Sequence, residues 1–182
     1  MNGLINRAVE QFVVSMKGEA GWRGVCADAG IQADGFVSMQ SYDDELTYRL
    51  VDAASKRLAL PPVQVLQAIG ELWITYIFKE GYGDVITATG ANLREFLTNL
   101  NEMHCRIEIV FTKMRAPQFR IEDVSDTEFR LCYASERSGL APMVIGIVDA
   151  LAQHFGQSVE IIQVYAKTEI DSEDIFLIRH LP

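Results

Sequence analysis

Apolar positions recur with a helical period as far as Phe111 and with a period of two after Pro117. In Met1–Lys17, Leu4, Ile5, Ala8, Val9, Phe12, Val13 and Met16 form one face, and the pattern stops at Gly18. A shorter helical piece is predicted from Glu19 to Ala29, closed by Gly30. The stretch Ser41–Asp44 has the composition of a helix start, and this third helix should run through Arg57 with Leu46, Leu50, Val51 and Ala54 inward. Pro61 and Pro62 suit the entry to a fourth, Val63–Lys79, which carries Trp73, Ile77 and Phe78 and ends at Gly81. A fifth is predicted within Asn92–Phe111, where Asn92 caps the first free N–H groups and Glu95 reaches back.

Beyond Pro117, Gln118–Val124 and Glu128–Ser135 alternate on either side of Ser125 and Asp126 and predict a hairpin. Gly139–Phe155 is a strongly apolar helix ended by Gly156. Ser158–Lys167 and Asp174–Leu181 predict a second strand pair across the turn-rich stretch 168–173. The expected fold is α+β in a single domain, 1–182. A helical N-terminal subdomain covers about 1–62, and the remainder, 63–182, holds a four-stranded antiparallel sheet with helices.

With 182 residues, 49% of them apolar, the chain can bury a sizeable core and enclose a ligand. Net charge is −9, from 25 acidic against 16 basic residues, which argues against a nucleic-acid partner. No apolar run is long enough to span a bilayer, and Met1–Lys17 alternates charged with apolar residues, unlike a secretory signal. No basic membrane-surface helix is present either. The three cysteines, Cys26, Cys105 and Cys132, show no CxxC or zinc spacing and fit a reducing cytosol. A cytoplasmic protein is expected.

The chemistry begins at His104. Leu93, Leu97, Leu100, His104, Ile107 and Phe111 share one helical face, so an imidazole stands within an apolar stripe. Burying it without a partner costs roughly 1–3 kcal/mol. It is either a core histidine bonded to a backbone carbonyl or a single axial ligand to a metal macrocycle. Cys105 lies about 100° around the helix and is expected as a small core or flank residue. A second constellation is Tyr133, Ser135 and Arg137, at i, i+2 and i+4 of the second strand and so on one side of it. The set is either an ordinary exposed strand face or a cradle for paired carboxylates or a phosphate. His154 and His180 are expected on the surface or in packing, and no nucleophile or base constellation suggests an enzyme.

Across essentially its whole length the chain resembles the heme nitric oxide/oxygen binding (H-NOX) domain. That sensor occurs at the N-terminus of the soluble guanylate cyclase β subunit and as small bacterial proteins. The carriers are MNGLINRAVE, DAASKRLAL, the EGYGD turn, NLREFLTNLNEMH, MRAPQFR, YASER and SGLAPMVIGI. The resemblance implies a ferrous heme b between the helical and α+β halves, held without thioether links because no CxxCH occurs. His104 matches the proximal iron ligand, Tyr133, Ser135 and Arg137 the propionate-binding motif, and Pro117 the proline that distorts the macrocycle. Leu100 falls on the proximal side, and Ile5, Trp73, Ile77 and Met143 on the distal side.

Family members that hold dioxygen place a tyrosine five residues after the motif arginine; here that position is Pro142. Tyr76 and Tyr82 do not align with that donor, and the Trp73 indole N–H is the one distal donor. The resemblance therefore implies a sensor of nitric oxide, and more weakly of carbon monoxide, that excludes dioxygen. Its signal would arise as nitric oxide weakens the iron–His104 bond. The output would pass to a separate signalling protein: a histidine kinase, a cyclic-di-GMP enzyme or a guanylate cyclase. The alternatives are a dioxygen or redox sensor of the same fold and an interaction module without heme.

Overall fold

A computed structural model describes residues 1–32, 35–38, 40–78, 81, 83–112, 114–168 and 171–181. Helix α1 (Gly3–Ala29) starts at Asn2, whose side chain accepts the Leu4 N–H at 2.9 Å. Gly18, at φ 65° and ψ −177°, breaks it into the two expected pieces, a conformation that a side chain would disfavour. Met16 was expected inward but is 53% exposed. The helix runs beyond its packing partners here, and residues 15–20 are all exposed. Helix α2 (Asp44–Leu58) is capped by Asp43, with Asp44 and Glu45 in its first turn and Lys56 and Arg57 in its last. These charges oppose the helix dipole at both ends.

Helix α3 (Pro62–Ile77) has proline at its first position, where no N–H is needed. A short α4 (Gly83–Thr89) follows, which the hydropathy pattern does not predict because Gly81 and Gly83 punctuate it. The predicted end of the preceding helix at Lys79, and Tyr82, lie outside the described residues. Helix α5 (Leu93–Val110) carries His104, and α6 (Ala141–His154) lies between the two hairpins. Strands β1 (Gln118–Asp123), β2 (Glu128–Ala134), β3 (Val159–Tyr165) and β4 (Glu173–His180) form an antiparallel sheet in the order β1-β2-β4-β3. The α+β expectation holds. No described helix is long and apolar enough to cross a membrane.

Side chains collect into two cores. The first joins α1, α2 and the start of α3, through Val9, Val13, Leu50 and Ile69, with Leu140 and Met143. The second joins α5, α6 and the sheet, through Leu93, Leu97, Phe129, Leu131 and Phe176. Ile147 packs against both. Helices α3 and α6 meet backbone to backbone. A Cβ at Gly70 would lie 2.3 Å from the Met143 carbonyl oxygen, and one at Gly146 would lie 2.1 Å from that of Gln67. Gly146→Ala must push these helices apart, an overpacking that costs about 1–3 kcal/mol. Its urea midpoint should fall accordingly; an unchanged midpoint would mean that the seam can open freely.

Candidate functional site

Helix α5 sets the position of His104. Asn92 Oδ1 accepts the Glu95 N–H at 2.9 Å, and Glu95 Oε2 accepts the Ala91 N–H at 3.0 Å. The capping pair thus closes one residue further out than the expected box. Leu93, Phe96, Leu97 and Leu100 are buried, whereas Cys105 and Arg106 are exposed. His104 is half-buried where the helix passes from core to surface.

The His104 ring stands 6.0 Å from that of Phe119, which in turn stands 5.4 Å from Tyr133. Its Nδ1 lies 3.3 Å from the Pro117 carbonyl oxygen. Burial pushes the imidazole below its ordinary pKa, although the Pro117 carbonyl and Glu108 act the other way. It is therefore neutral at pH 7. A carbonyl only accepts, so Nδ1 carries the proton and Nε2 keeps its lone pair. Such a bond satisfies a core histidine and orients a metal ligand equally well. Nε2 has no hydrogen-bond partner among the described residues, which leaves its lone pair open to a metal.

Tyr133 is buried near the end of β2, opposite Phe119 on β1 and Asp174 on β4. Burial raises its pKa, opposed by a hydrogen bond with Ser135 and reinforced by Asp174. The strand ends at Ala134, so Ser135 and Arg137 do not continue its face as expected. They sit in a bend that leads to Gly139 at φ 77°. The Ser135 hydroxyl accepts the Arg137 N–H at 3.1 Å and tightens that bend.

Arg137 is 18% exposed and donates from Nε to Asp44 at 2.9 Å and from Nη1 to the Arg115 carbonyl at 2.9 Å. Its Nη2 has no partner among the described residues, leaving donor capacity for an anion. Burial alone would raise the Asp44 carboxyl. Hydrogen bonds from the Met1 ammonium and Arg137 outweigh it and hold the pKa below the ordinary value. Tyr48, one turn along α2, donates to the Ser138 carbonyl at 3.0 Å. A continuous path thus runs from His104 through Pro117, Arg115 and Arg137 to Asp44.

The remaining candidates divide between the cores. Ile5 and Met143 belong to the first, with Trp73 packed against it; Leu100 belongs to the second, with Ile77 packed against it. Trp73 Nε1 is buried and has no hydrogen-bond partner among the described residues. Tyr76 is buried under the Arg7 guanidinium, 5.2 Å from its ring centroid. Pro142 starts α6 and offers no side-chain donor. His154 stacks on Phe78 with centroids 4.3 Å apart, and His180 lies 6.1 Å from Phe129. An open groove of about 810 Å³ between α1, α3 and α6 does not reach His104.

Sequence reasoning missed Phe119, Asp44, Tyr48 and the Arg115 carbonyl. Alternation in β1 could have suggested Phe119; the others are brought in by distant segments and leave no local signal. The residues fit a heme. Among the described residues they provide one imidazole with a free lone pair, one guanidinium with a free donor, and hydroxyls beside it. Among the described residues no cluster of His, Cys, Asp or Glu could hold a metal in another way.

Such a fold and donor set define a heme-sensor class of domain. The chain belongs to the haem-NO-binding (HNOB) family, whose model matches residues 2–163. The soluble guanylate cyclase gcy-32 of Caenorhabditis elegans is 33% identical over 84% of the chain. The rat guanylate cyclase soluble subunit beta-2 is 35% identical over 50%. The chain spans about a quarter of the length of such curated relatives, 23% of gcy-32. An H-NOX protein from S. oneidensis in the Fe(II)NO ligation state matches with TM-score 0.86 and 20% identity over 100% of both chains. An oxygen-binding H-NOX domain, solved as its oxygen complex, matches with TM-score 0.81 and 15% identity over 100% of this chain and 96% of that one. These likenesses establish the fold, and the fold alone does not select the gas.

Proposed function

We propose that this protein is a cytoplasmic sensor of nitric oxide, and more weakly of carbon monoxide, that excludes dioxygen. The cofactor is ferrous heme b, held by His104 as its only protein ligand. The observation that carries the reading is a neutral His104 with Nδ1 on the Pro117 carbonyl and an unshared Nε2. Bound heme would supply an iron that takes a diatomic gas.

The chain's own residues do the rest. Tyr133, Ser135 and Arg137 bind the propionates, Pro117 presses on the macrocycle, and Leu100 lines the proximal side. Ile5, Trp73, Ile77 and Met143 form the distal wall. A dioxygen ligand would call for a hydrogen-bond donor, which Pro142 does not provide, whereas nitric oxide would need none. Loosening of the hold on His104 frees α5 to move, and the path through Arg115 and Arg137 conveys that movement to α2. A gas can shift this equilibrium only by favouring one arrangement over the other. The recipient is a separate signalling protein, such as a histidine kinase, a cyclic-di-GMP enzyme or a guanylate cyclase.

One observation favours a second reading. The buried Trp73 N–H, without a partner among the described residues, could serve as the distal donor of a dioxygen sensor. Absorption spectra of the ferrous protein in air and under nitric oxide decide between them. A spectrum that air leaves unchanged and nitric oxide alters supports the first. A lasting change in air that Trp73→Phe abolishes supports the second, and failure to take up heme overturns both.

A further inference from the structure

Charge around the Tyr133–Arg137 bend does not balance a dicarboxylate. Asp44 lies 2.9 Å from Arg137 Nε and also takes the Met1 ammonium. That trio carries a single net positive charge, against two negative charges on a pair of carboxylates. Lys167, in the connection between β3 and β4, brings a second cation to the same bend. Its half-buried side chain donates from Nζ to the Ser135 carbonyl. A carbonyl is neutral, and among the described residues Lys167 has no carboxylate partner. An ammonium has three donors, of which this bond takes one.

The lysine is held from behind. Its backbone N–H donates to Asp174 Oδ1 at 3.0 Å, and Gln163 Nε2 donates to the same oxygen at 2.9 Å. Asp174 is buried beside Tyr133, its register partner. This carboxylate is therefore turned to amide donors and leaves the ammonium available to a ligand. We propose that Lys167 is a further propionate-binding residue, supplying the positive charge that the Arg137–Asp44 pair lacks. This rests on the heme reading above.

The test compares full-length protein loaded with protoheme and with its dimethyl ester, in which the carboxylates carry no charge. The readout is the rate of transfer to an excess of apo-globin scavenger. Lys167→Gln should speed loss of protoheme about fivefold, the scale of a partly solvated ion pair. It should leave loss of the ester nearly unchanged, and Lys167→Arg should behave as wild type. Equal protoheme rates in wild type and Lys167→Gln would overturn the proposal. So would the same acceleration for both hemes, which would mean that the lysine only props the bend. If the wild type takes up neither heme, the heme reading itself fails, and this assignment with it.

Discussion

His104→Gly should give a folded protein that takes up heme only when imidazole is added. Glycine removes both the free Nε2 and the Nδ1 contact with Pro117, and leaves a gap the size of an imidazole beside Phe119. Loss of the only ligand should exceed the roughly 10–100-fold effect typical of removing a supporting partner. Glycine inside α5 also costs about 1 kcal/mol of helix stability. Circular dichroism must therefore accompany the absorption titration. A native helix signal with no Soret band, restored by imidazole, is the expected result. An unchanged spectrum in the variant without imidazole would show that another residue holds the iron.

Arg137→Ala should weaken heme binding about ten- to a hundredfold, because it leaves propionates unpaired at roughly 1–3 kcal/mol. It should also destabilise the heme-free protein. The guanidinium ties Asp44 on α2 to the Arg115 carbonyl ahead of Pro117, and its removal leaves Asp44 with the Met1 ammonium alone. The pH dependence has a definite sign. The Asp44 pKa is depressed in the folded protein, so its ion pairs contribute fully above the ordinary carboxylate pKa of about 3.9. That contribution disappears as the pH falls through the depressed value. Urea midpoints of wild type and Arg137→Ala should therefore differ most above about pH 4 and converge in stronger acid. A gap that persists in acid would assign the loss to packing. Full heme occupancy in the variant would remove Arg137 from the cradle.

Periodicity located the elements that form by local rules. The cap at Asn92, the break at Gly18, Pro62 at a helix start and the alternation in β2 and β4 all depend on neighbours in sequence. The short helix at Gly83–Thr89 escaped because its glycines have the statistics of a turn and its seven residues show little more than one apolar repeat. The strand rule also reached too far. It aligned Ser135 and Arg137 with Tyr133, whereas the bend at Ser135 directs Arg137 by hydrogen bonds instead of by the pleat. Asp44, Tyr48 and Lys167 come from segments far from that bend in the chain, and no pattern within any of those segments announces the others. The imidazole was visible because an apolar stripe makes a polar residue conspicuous; its tautomer depends on a carbonyl thirteen residues away.

Where Gly70 and Gly146 bring two main chains into contact, no side chain lies between to change its rotamer. That joint is rigid, and α3 and α6 should travel as one strut. Relative motion of the two halves then has to come from α1 and α2 tilting across the strut, with the Asp44 and Tyr48 tethers as reins.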